Sequence, residues 1–129
     1  MSEEENLPQA EDVYELLFVK PELDRSRIDI RCNFKKLMEE KVTGEDEGKF
    51  KSDCDAIRHD ALVQFEKRCG DHCQSKHYAD AKSELKNELN EDVKGLKYRN
   101  DRKRFNKMRL IAAIRLSSSL SDLTTCSLS

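Results

Sequence analysis

Glycine and proline are so scarce in this chain that they nearly decide its fold class: there are four glycines and two prolines among 129 residues. A β-sandwich or a doubly wound sheet needs more turn residues, and more β-branched runs, to reverse direction between its strands. Charged residues at 39% outnumber a hydrophobic set of 36%, and tryptophan is absent, which favours long, solvated, amphipathic helices around a thin core. A chain of this length suffices for one domain and buries about two-thirds of its unfolded surface when compact. The expectation is an all-α protein, an elongated bundle of three to four helices with disordered termini.

The pattern divides the chain into an acidic, disordered N-terminus (1–9), a helical bundle region (10–96), a basic amphipathic helix (97–116) and a disordered, serine-rich tail (117–129). Within the bundle region, "AEDVYELLFV" makes a short helix that ends before Pro21, because the residue before a proline is pushed out of the α region and Lys20 therefore marks a break. Leu23, Ile30, Phe34, Leu37 and Met38 give a loose apolar stripe reaching Val42, although "IDIRC" alternates like a strand. "TGEDEG" is a loop. After it, Cys54, Ile57, Ala61, Leu62, Phe65 and Cys69 recur at steps of three and four, and Gly70 is placed like a helix C-cap. From about Ala79, the residues Ala81, Leu85, Leu89, Val93 and Leu96 keep the same step.

Charge is distributed unevenly. Residues 1–19 hold six acids and no base, whereas residues 94–115 hold nine bases and the single acid Asp101. Such halves suggest a carboxy-terminal segment drawn to phosphate or anionic lipid, or else neutralisation of one half by the other within the fold. Lys97, Arg99, Arg102, Lys103, Arg104, Lys107 and Arg109 form the candidate membrane- or phosphate-binding patch, with Phe105, Met108, Ile111, Ala112 and Leu116 roughly on one side of the same helix.

Chemistry has few footholds. "GEDEGKF" has a glycine, three residues and Gly-Lys, but a phosphate loop needs four intervening residues and a Ser or Thr where Phe50 stands, and Glu45, Asp46 and Glu47 would repel phosphate. In "CGDHCQSKH", Cys69, Cys73 and His77 fall at steps of four with His72 beside them, a donor set suited to zinc. Buried thiols and an exposed histidine turn explain the same letters. A cysteine nucleophile activated by His59, His72 or His77 would lack the glycine-bounded turns on which such sites are built, so no catalytic residue and no cofactor is expected. Five cysteines without a regular spacing, and no apolar leader, suit reduced thiols in the cytosol.

One stretch carries a family likeness. In "ALVQFEKRCGDHCQSKHYADAKSELKNELNEDV", Phe65, Lys67, Cys69 and Asp71 are followed at an ungapped distance by Asp80 and Ala81 and then by a charged helix with Leu89 and Val93; Glu66 and Tyr78 add weaker correspondences. This segment resembles part of the helical middle region of the root-hair-defective/Sey family, dynamin-like GTPases that fuse endoplasmic reticulum membranes. The resemblance implies a stalk of helical bundles that links a GTPase head to a transmembrane hairpin. Neither GTPase motifs nor a hairpin occur here, so it implies a non-catalytic stalk piece, placed at the cytosolic face of that membrane.

The ending "CSLS" reads as a prenylation signal, with Cys126 the acceptor and the terminal serine favouring a farnesyl group. One lipid chain holds a membrane only marginally, and a polybasic patch upstream is the usual second element. The sequence therefore points to a helical interaction module near an anionic membrane surface, with a helical protein partner or self-association as further expectations. A farnesylated polybasic adaptor is the competing reading. Binding of nucleic acid phosphates by "RNDRKR" is a third, weakened because only Phe105 is available for base stacking in the densest basic run.

Overall fold

Pro21 has no N–H to give to the carbonyl of Leu17, and its ring would crowd that carbonyl in an ordinary helix. In the computed structural model, which describes the backbone of residues 10–128 and the side chains of residues 10 and 12–118, the chain widens by one turn instead of breaking. Helix α1 (Ala10–Tyr14) passes through a π turn (Glu15–Val19) directly into α2 (Lys20–Lys41), and the Lys20 N–H bonds the Glu15 carbonyl, five residues back. The break expected at Lys20 is thus corrected to a continuous helix with a wide turn. Such π turns absorb a residue whose hydrogen bond cannot be made.

Helix α2 buries Leu23, Ile30, Phe34 and Met38, with Val42 completing the row. "IDIRC" lies inside it, and its strand-like alternation is overruled. Ile30 faces the core and Ile28 faces solvent because residues two apart lie about 200° apart around a helix. Leu37 is also outside the core, 52% exposed, since Met38 occupies the inward position of that turn.

The link to α3 (Glu47–Arg68) turns on Gly44, whose φ of 79° lies in the left-handed region. Helix α3 buries Phe50, Cys54, Ala61 and Phe65, with Ile57 and Leu62 packed at the margin. It ends at Cys69, not at a left-handed glycine: Gly70 begins a short 3-10 turn (Gly70–His72) in which the His72 N–H takes the Cys69 carbonyl at 2.7 Å. Helix α4 (Lys76–Leu128) starts three residues before the expected Ala79, where the Ser75 hydroxyl accepts the His77 N–H at 3.2 Å.

Contacts along the helices define the arrangement. Arg31 meets Asp92 and Arg99 meets Glu39, so α2 and α4 are parallel; Lys82 meets Glu66, Arg58 meets Asn90 and Lys97 meets Glu47, so α3 runs antiparallel to α4. The core is one cluster built from Val19, the α2 row, the α3 row, and Ala81, Leu85, Leu89 and Leu96 of α4. The protein is an all-α bundle, and no strand occurs among the described residues.

The three long helices differ greatly in length. Two have 22 residues and α4 has 53, so about 33 Å of each partner lies beside a helix of about 80 Å. The expected boundary at residues 96/97 is not a boundary in the backbone, because α4 passes through Gly95 without interruption. Residues 117–128, read as a tail, are helical in the backbone, while the side chains from 119 onward and all of residues 1–9 lie outside the described residues.

Candidate functional site: a loop clamp and an overhanging arm

The middle of α4 holds the α2–α3 loop. Asn100 is fully buried: its side-chain oxygen accepts the N–H groups of Gly44 (2.9 Å) and Glu45 (3.2 Å), and its amide nitrogen donates to the Glu45 carbonyl at 2.9 Å. One side chain therefore satisfies three backbone groups that a turn would otherwise leave unpaired. Gly44 is required by space as well as by φ. A Cβ there would stand 2.9 Å from the Arg104 amide nitrogen and 3.0 Å from the Lys103 carbonyl carbon.

Two cations of the basic segment complete the clamp. The Lys103 ammonium donates to the Val42 carbonyl at 2.8 Å and that of Lys107 donates to the Thr43 carbonyl, placing positive charge at the C-terminus of α2, where the helix dipole favours it. Lys97 pairs with Glu47 at 3.2 Å, Arg99 with Glu39 at 3.7 Å and Arg104 with Asp101 at 3.7 Å. Five of the seven expected patch residues are thus engaged within the fold. Arg102 has no such partner among the described residues, and Arg109 lies 5.9 Å from the centre of the Phe105 ring.

Beyond the clamp the helix leaves the bundle. Every described side chain of residues 105–118 is exposed, and Phe105, Met108, Leu110, Ile111, Ile114 and Leu116 are each between 48% and 64% exposed. The inward row of α4 (Leu89, Val93, Leu96, Asn100, Lys103, Lys107) continues at steps of three and four into Leu110 and Ile114, which nothing among the described residues covers. Phe105, Met108, Ala112 and Leu116 lie about half a turn away from them. Residues 102–121 include six bases and no acid. The arm is therefore apolar around much of its circumference, and the charges interspersed among its apolar side chains are all cations.

The opposite end carries the cysteine–histidine cluster. Cys69 is buried, Cys73 is exposed and donates its thiol to the Cys69 carbonyl, and His72 pairs with Glu22 at 3.0 Å. The Nε2 of His77 is buried without a hydrogen-bond partner among the described residues. Among the described residues no group of three or more His, Cys, Asp or Glu side chains is placed to hold a metal ion, so the four zinc candidates share a turn without forming a coordination shell. Burial pushes the thiols of Cys69 and Cys54 up to about 11, away from the reactive thiolate form. Burial, and then its hydrogen bond with Cys73, raises Tyr78 to about 12; its ring stacks on Phe65 at 5.8 Å.

At this same pole α1 and the π turn present Tyr14, Leu16, Leu17 and Phe18, 54% to 60% exposed. No helix among the described residues is long and apolar enough to cross a membrane. The side chain of Cys126 lies outside the described residues.

Two structural groups escaped the sequence reading. Asn100 stands on the inward row of α4, and a lone polar residue on an apolar step is its only advance signal. Arg27 and Arg31 form a ladder with Glu84, Glu88 and Asp92 across the α2–α4 contact; Arg27 occupies the gap between Leu23 and Ile30 in the α2 row. Comparison with protein families, curated proteins and solved structures finds no match.

Proposed function

We propose that this chain is a non-catalytic helical interaction module, a stalk that holds a cationic, apolar arm clear of its bundle and attaches to an anionic membrane surface through it. One observation carries the reading: α4 overhangs its partners with six exposed large apolar side chains and no acid between residues 102 and 121. Apolar side chains enter the boundary between headgroups and acyl chains, while each nearby cation adds on the order of 1 kcal/mol at an anionic leaflet. Arg102, Arg109 and Arg115 are the cations left for that role.

The antiparallel pairing of α3 with α4 supports the stalk half of the reading, because the stretch resembling the endoplasmic reticulum fusion GTPases is a helical hairpin, as a stalk piece would be. Farnesylation at Cys126 is the competing means of attachment. Vesicle co-sedimentation tests the proposal: unmodified protein should bind phosphatidylserine vesicles at low salt, lose at least tenfold in affinity at several hundred millimolar salt, and ignore neutral vesicles. Absence of binding at low salt defeats it. If attachment in cells is lost in Cys126→Ser while vesicles are not bound, the farnesylated adaptor is the correct reading.

A further inference from the structure

Two serines stand on an apolar side of the arm. Ser117 follows Leu110 by seven residues, while Ser118 follows Ile111 by seven and Ile114 by four. Seven residues are close to two helical turns and four are close to one, so both hydroxyls continue the side that carries Leu110, Ile111 and Ile114. Both side chains are exposed. Residues 102–118 hold six bases and no acid, and Arg115 stands three residues before Ser118. A small neutral hydroxyl fits at the boundary between headgroups and acyl chains, whereas a fixed negative charge at the same place would oppose everything that draws the arm there.

The setting also makes Ser118 a good acceptor. A serine with an arginine upstream, and no acid within the arm, suits a protein kinase whose substrate groove is acidic. Kinases take their substrates as extended segments. Every described side chain of residues 105–118 is exposed, so opening the helix around Ser118 breaks its own backbone hydrogen bonds and no packing against the bundle.

We propose that Ser118 is a phosphorylation site whose phosphate releases the arm from an anionic membrane; the inference rests on the membrane reading above. The Ser118 Oγ attacks the γ-phosphorus of magnesium-bound ATP, and a new O–P bond forms as the bond to the bridging oxygen of the β-phosphate breaks. ADP leaves with that electron pair, and the hydroxyl proton passes to the catalytic aspartate of the kinase. The phosphate brings a charge of about −1.5 to −2 at neutral pH. It repels the anionic leaflet, it pairs with Arg115 one turn back, and it sets a strongly hydrated group on the side that Leu110, Ile111 and Ile114 would bury. Arg102, Arg109 and Arg115 are the cations left for lipid, so a change of this size cancels most of their attraction.

Co-sedimentation of the full chain with phosphatidylserine vesicles at low salt, before and after treatment with cyclic-AMP-dependent protein kinase, magnesium and ATP, tests the inference. Mass spectrometry should place a phosphate on Ser118, and the phosphorylated protein should bind at least about tenfold more weakly. Kinase-treated Ser118→Ala should stay on the vesicles, and Ser118→Glu should be weakened with no kinase present; circular dichroism checks that both variants keep their helices. A kinase that leaves Ser118 unmodified overturns the inference, and so does a phosphorylated protein that binds like the untreated one. Both results leave the membrane reading standing, because the untreated protein still binds. Failure of the untreated protein to bind defeats the membrane reading itself and this inference with it, so the untreated control tells the two failures apart.

Discussion

Asn100 shows how one buried polar side chain can decide a connection. Its three hydrogen bonds fix the Gly44–Glu45 turn against α4, and Asn100→Ala would take the partner from two N–H groups and a carbonyl. An unsatisfied buried group costs about 1–3 kcal/mol, so this variant should lose about 2–4 kcal/mol in urea unfolding. Gly44→Ala should lose a comparable amount by a different route, since it combines a left-handed φ with a Cβ against the α4 backbone. At the other pole the buried thiols set a limit in alkali. Cys54 and Cys69 ionise ordinarily at 9.0 and in the fold near 11, so the unfolded chain sheds protons first as the pH passes 9. Stability is then undiminished below pH 9 and falls as the pH climbs through 11, on the order of 2 kcal/mol for each thiol, and thermal melts from pH 8 to 11 would record the decline. Of these residues the cysteines were legible as members of apolar rows. Asn100 was not, because its role depends on a loop 55 positions away that no local pattern connects to it.

At the scale of elements, the rows on α3 and α4 were readable because every inward step is apolar or small, from Phe50 to Cys69 and from Ala81 to Leu96. Helix α2 was harder, since Arg27 interrupts its row and hides the continuity between Leu23 and Ile30. The π turn was illegible for a plainer reason: a proline announces that an ordinary hydrogen bond will fail but does not say whether the chain will break or widen. Arg27 also explains how two charged helix faces pack. Its side chain is 15% exposed and Glu88 opposite is 25% exposed, so the pair is largely withdrawn from water. Withdrawing two charges from water offsets most of their attraction, whereas removing one partner leaves the other stranded. Arg27→Met should therefore cost about 2–3 kcal/mol, while Arg27→Met combined with Glu88→Leu should recover most of that loss. A double-mutant cycle in urea measures both; a double variant no better than the single would mean that Glu84 and Asp24, the other carboxylates beside Arg27, are its main partners instead. The basic segment was legible only in outline: its cations were visible as one patch, but the division into a loop clamp and a projecting arm depends on where α2 and α3 end.

For the whole molecule the decisive quantity is the difference in helix length. Composition called for long helices with a thin core, and the bundle conforms, but nothing in the sequence before residue 105 shows that α4 outruns its partners by about 35 Å. That overhang separates stability from attachment. The described side chains from Met108 to Ser118 add no burial to the core, so removing residues 108–129 should change the unfolding free energy by less than about 0.5 kcal/mol, as for surface positions generally. Lys107 must stay, because its ammonium belongs to the clamp on Thr43. The truncated protein should melt like the intact one, yet it should not sediment with anionic vesicles. Small-angle scattering should show the largest dimension shorten by about 30 Å, the length of the helix removed. A shortened chain that melts much earlier would place the arm against the bundle, which would remove the physical basis for attachment. One that melts normally but still binds vesicles would move the lipid contact to the remaining part of α4, where Arg102 has no partner among the described residues.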